Sequence, residues 1–70
     1  MRYVEFREAV RATLADTPRP LTWRELRDAA ALPYDRPCPT WVARLEREIG
    51  LTREKGPARA KVWSLRPDEG

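Results

Sequence analysis

Thr40-Trp-Val-Ala-Arg-Leu-Glu-Arg-Glu-Ile-Gly50 runs directly into Leu51-Thr-Arg-Glu-Lys-Gly-Pro-Ala-Arg-Ala-Lys-Val-Trp-Ser-Leu65, and the junction between the two sets the architecture. At about 100° per residue, Val42, Leu45 and Ile49 share one stripe of a helix. Thr40, Arg44 and Arg47 take the opposite stripe at spacing i, i+4, i+7, so one face packs while the other offers two guanidinium groups. Gly50 supplies the left-handed residue that commonly ends a helix, and Leu51 is placed to fold back onto the core. Beyond it, Leu51–Glu54 and Ala60–Leu65 read as short strands around the basic loop Lys55-Gly-Pro-Ala-Arg59. In the second strand, Lys61, Trp63 and Leu65 alternate with Ala60, Val62 and Ser64, which puts Trp63 and Leu65 over the helices.

Upstream, Leu32-Pro-Tyr-Asp-Arg-Pro-Cys-Pro39 holds three prolines and connects two helices rather than forming one. Pro39 suits the first turn of the following helix, and both Cys38 and Thr40 remain open as its cap. Thr22 followed three residues later by Glu25 has the pattern of a capping box, which starts a helix over about Trp23–Ala31 with Trp23, Leu26 and Ala30 inward. Leu21, just before it, leaves room for a strand of one or two residues. Thr17-Pro-Arg-Pro20 ends an earlier helix, because proline lacks the amide hydrogen and disfavours helical geometry in the residue before it. That first helix covers about Arg2–Ala15, with Tyr3, Phe6, Val10 and Leu14 on its apolar face.

Seventy residues allow one domain, here 1–66 with a C-terminal tail over 67–70, and a small core. Net charge is +3, unevenly spread: residues 51–66 carry five basic groups against one acidic. Twelve of the fourteen bases are arginine, a bias that phosphate recognition would explain but that a genome-wide preference explains better, because the arginines also populate helix faces with no obvious partner. With one cysteine, Cys38, and no histidine, an internal disulfide is impossible and a zinc site lacks its usual ligands. No apolar run approaches the roughly 18 residues of a membrane span, so the expectation is a cytoplasmic protein. Scattered carboxylates such as Glu5, Glu8 and Asp16 accompany no nucleophile motif. The chain therefore reads as a binding module, with no catalytic residue, metal, cofactor or small-molecule substrate expected.

The order helix, short strand, helix, connection, helix and hairpin, with Trp41-Val-Ala-Arg-Leu-Glu-Arg-Glu-Ile-Gly-Leu51 leading into the basic loop, resembles a winged helix-turn-helix domain of the small bacterial and archaeal regulator type. The resemblance implies an α+β fold, a three-helix core followed by a two-stranded wing, and a role in transcription regulation on double-stranded DNA. It also implies that helix three enters the major groove with Thr40, Arg44 and Arg47 facing it, and Trp41 on the flank is a candidate for stacking on a base. Arg53, Lys55, Arg59 and Lys61 of the wing then grip adjacent backbone.

Each of these residues also has a plainer reading. Arg44 sits four residues before Glu48 and is spaced for an intrahelical ion pair. Charges on a short hairpin deter edge-to-edge pairing. Trp41 on a helix flank also suits core packing, as do Trp23 and Trp63, and Cys38 reads as a semi-buried, inert thiol. The competing function is protein docking through Trp41, Tyr34 and the proline-rich connection, and a homodimer is a further option.

Overall fold

The computed structural model describes residues 1–56, 58 and 60–66. Helix α1 spans Tyr3–Asp16, strand β1 Leu21–Thr22, α2 Trp23–Ala30, α3 Pro39–Glu48, β2 Leu51–Lys55 and β3 Lys61–Leu65. The fold is α+β, three helices with a three-stranded antiparallel sheet in the order β1-β3-β2. Among the described residues no helix is long and apolar enough to cross a membrane.

Local chemistry explains the boundaries. The Thr22 hydroxyl accepts from the Glu25 amide at 3.2 Å, and the Glu25 carboxylate accepts from the Thr22 amide at 3.0 Å, which satisfies two exposed donors at the start of α2. That helix stops at Ala30, one residue before the expected end, because Ala31 turns left-handed at φ 53°. Gly50 takes φ 70° after α3, and its carbonyl accepts from the Arg66 amide at 2.7 Å, tying the end of β3 to the start of β2. Cys38, not Thr40, is the residue before α3, and Pro39 opens the helix as its spacing implied. The Cys38 thiol is exposed rather than semi-buried, because the residue precedes the helix instead of lying on its packed face.

The strand at Leu21 is present. It pairs Leu21 with Trp63 and Thr22 with Val62, so the expected two-stranded hairpin is completed to a three-stranded sheet. Phe6, Val10, Leu26, Leu45, Leu51 and Trp63 are almost fully enclosed. Trp63 is the largest of them, and truncating such a side chain costs about 3–5 kcal/mol, on the order of half the stability of roughly 4–10 kcal/mol available to a chain this short. Trp23, assigned to the core with it, is only half-buried and packs its ring 5.3 Å from that of Trp63.

Candidate nucleic-acid interface

The register of the hairpin sets its charge. Arg53 lies opposite Trp63 and Lys55 opposite Lys61, while Leu51 faces Leu65. With a two-residue period, one face of the sheet runs from Leu21, Leu51, Trp63 and Leu65 over the helices to Arg53, Lys55 and Lys61 at the hairpin end. Glu54, the hairpin's acidic residue, falls on the other face with Val62. That face is held by Thr52 and Ser64, whose hydroxyls meet at 2.9 Å. Two exposed ammonium groups are thus placed directly across a strand pair, an arrangement that destabilises the folded state unless an anion sits between them.

Arg53 does not project freely. It is half-buried, and its guanidinium carbon lies 5.6 Å from the centre of the Trp63 ring. Its Nε is covered from solvent and has no hydrogen-bond partner among the described residues. Next to it a groove of about 400 Å³ opens between β3, the start of α2 and the connection before α3, lined in part by Trp23, Arg24, Pro37, Arg53, Lys61 and Trp63. The Trp23 indole N–H donates to the Asp35 carbonyl at 2.9 Å, which fixes that ring in place.

On α3 the expected outward pair of guanidinium groups does not form. Arg44 is half-buried, its guanidinium carbon sits 3.8 Å from the centre of the Tyr3 ring, and its Nε donates to Glu48 at 3.1 Å. Glu48 also accepts from Arg7 of α1 at 2.9 Å. The physical reason is that α3 has two neighbours. Val42 and Leu45 pack into the core, while Trp41, Arg44 and Glu48, at spacing i, i+3, i+7, lie along the first turns of α1. Trp41 accordingly packs 5.0 Å from Phe6, 5.4 Å from Tyr3 and 5.9 Å from Tyr34, against the core but half-buried. Thr40 and Arg47 remain exposed, and Arg47 forms no ion pair among the described residues.

The electrostatics of this second flank are those of a structural cluster. Hydrogen bonding to Arg7, with Arg44 beside it, holds the Glu48 carboxyl below the usual carboxylate range, and the same contact raises Arg7. Burial, then the charge of Glu48, pushes the Tyr3 hydroxyl upward. Arg7, Arg11, Arg19, Arg27 and Arg44 all engage carboxylates. Among the described residues, Arg24, Arg47, Arg53, Lys55 and Lys61 do not, nor do Arg2, Arg36 and Arg66.

Comparison of the chain with protein-family models, curated proteins and solved structures finds no match. What bears on function is therefore the placement of its own side chains. Of the residues singled out from sequence, Arg53 and Lys61 meet at one groove, with Lys55 paired across from Lys61. Thr40 and Arg47 lie exposed on α3, Trp41 and Arg44 are absorbed against α1, and Arg59 falls outside the described residues. Arg24 and Pro37 were not singled out at all. Arg24 belongs to no recognisable pattern and Pro37 counted only as part of the proline-rich connection, and the folding of α2 against β3 brings them beside the hairpin.

Proposed function

We propose that the chain is a winged-helix module that binds nucleic acid, with double-stranded DNA as its target and the basic hairpin as its main grip. The sheet order β1-β3-β2 behind three helices supports the winged-helix assignment, with β2 and β3 as the wing. The observation that carries the reading is the facing pair Lys55 and Lys61 on a sheet face shared with Arg53 and free of Glu54, since such a cation cluster is stabilised by a polyanion. Arg24 at the start of α2 and Arg47 on α3 add guanidinium groups that no carboxylate neutralises among the described residues. Thr40 and Arg47 are the side chains of α3 left to reach a groove, and Arg44 is assigned to structure. A regulatory role in transcription, without catalytic chemistry, goes with this reading.

Fluorescence anisotropy with a labelled duplex tests it. About four phosphate contacts give a salt slope near −3.6, a loss of roughly 100-fold in affinity between 50 and 200 mM salt. Binding that ignores salt, or no binding at low salt, contradicts the reading.

One observation favours a second reading, a protein-docking module. A pocket of about 380 Å³ is lined by Met1, Phe6, Tyr34, Cys38 and Trp41, on the side of the molecule where Arg44 is neutralised. An apolar pocket with no charged side chain in its lining among the described residues suits a partner's apolar side chain more than a phosphate. The hairpin reading is preferred because its cations remain unpaired, and Trp41→Ala separates the two: duplex affinity unchanged by it supports the hairpin as the grip.

A further inference from the structure

We propose that the groove between β3, the start of α2 and Pro37 holds a single unpaired nucleotide of a nucleic-acid strand. This deepens the nucleic-acid reading and rests on it. The walls are flat and apolar. The half-buried Trp23 lines the groove with its ring held by a bond to the Asp35 carbonyl and backed at 5.3 Å by the buried Trp63, and Pro37 belongs to the same lining. Such walls take a planar ring. The charged lining is cationic throughout: Arg24, Arg53 and Lys61 border the groove and no carboxylate does among the described residues. A ligand that is both planar and anionic answers both halves of this surface, and a nucleotide is the unit in which base and phosphate come joined.

Two further features narrow the occupant. The groove volume of about 400 Å³ is near the small end for ligand sites, room for one nucleotide and not for a stacked series. A paired base within a duplex keeps its faces covered by its neighbours, so the groove is open to a base from an overhang, a frayed end or a gap. Arg53 brings to the same place a guanidinium that no carboxylate neutralises among the described residues, a charge that a phosphate answers. Lys61, opposed by Lys55, gains likewise from an anion beside it.

The test uses the full chain and three labelled probes at one low salt concentration: a blunt duplex, the same duplex with a thymidine overhang, and oligothymidylate. Anisotropy gives the affinities, and tryptophan emission reports on Trp23, Trp41 and Trp63 together, with Trp41→Phe used to leave the two at the groove. Base stacking on aromatic side chains predicts that the overhang duplex binds about 5- to 100-fold tighter than the blunt one, with quenched emission. Arg24→Gln, at an exposed position, and Trp23→Phe, which leaves a smaller aromatic ring in the wall, each lower that ratio without changing affinity for the blunt duplex to the same extent. Equal affinity of the unaltered chain for blunt and overhang duplexes overturns the proposal. So does a uniform loss for all three probes in Arg24→Gln, which leaves the duplex reading standing with the groove as a source of charge only. Quenching by free thymidine monophosphate with no overhang advantage assigns the groove to a small molecule and overturns the strand assignment. Failure of every probe to bind removes the nucleic-acid reading itself, and the groove proposal with it.

Discussion

Lys61→Glu is expected to make this protein more stable and a poorer ligand for DNA at the same time. In the folded chain Lys61 stands directly across from Lys55 at the end of the hairpin, and both are exposed. Like charges in facing positions cost a fraction of the 0.2–1 kcal/mol range typical of cross-strand pairs, and an opposite pair recovers a similar amount. Exposure to solvent places the gain in the lower part of that range, about 0.2–0.5 kcal/mol. In a domain of this size 1 kcal/mol moves Tm by roughly 4–8 °C, so the variant melts about 1–4 °C higher at low ionic strength. Screening over a Debye length of about 3 Å at 1 M salt removes most of that difference. Thermal melts followed by tryptophan emission at low and high salt measure both quantities, and anisotropy with a duplex measures the loss of affinity. A lower Tm in the variant refutes the facing-cation reasoning. An increase of equal size at both salt concentrations refutes its electrostatic origin.

Arg44→Gln removes the cation stacked over Tyr3, worth about 0.5–1 kcal/mol at a site of this kind; it lowers Tm by a few degrees in a thermal melt while leaving duplex affinity nearly unchanged. The Glu25 carboxyl is held down to about 2, chiefly by the Arg19 guanidinium and next by the Thr22 amide. Because its folded value is depressed, the stability it contributes is complete above the ordinary glutamate value of about 4.3 and disappears as pH falls toward 2. Glu25→Gln keeps an acceptor for the cap and removes the charge, so the difference in Tm between pH 7 and pH 2.5 narrows relative to the unaltered chain. Gly50→Ala puts a side chain at φ 70°, with its Cβ 3.4 Å from that of Arg66; chemical denaturation should show a loss of about 1 kcal/mol.

Much of the fold was legible because it is written in local chemistry. Thr17-Pro-Arg-Pro20, the Thr22 and Glu25 pair, and Gly50 each act within a few residues, and each punctuates the chain where its chemistry requires. The site was less legible, since its key features are long-range. A helical wheel for α3 places Arg44 opposite Val42 and Leu45, yet the same residue also belongs to the Trp41, Arg44, Glu48 stripe. Which stripe governs depends on where Tyr3 and Arg7 of α1 come to rest, and nothing local to α3 says so. The Lys55 and Lys61 register follows from how many residues the loop absorbs, and Lys55 proved to be strand rather than loop. Arg24 and Pro37 reach the groove only because β1 joins β3 and draws the start of α2 alongside the hairpin.

The most direct test of the central claim is the salt slope of duplex binding in two variants measured side by side. Lys55→Gln with Lys61→Gln should flatten the slope by about two units, one for each phosphate that the removed ammonium groups no longer neutralise, while Arg44→Gln should leave it where it is. A slope unchanged by removal of the hairpin lysines, or one flattened by removal of Arg44, would contradict the assignment of the grip to the hairpin.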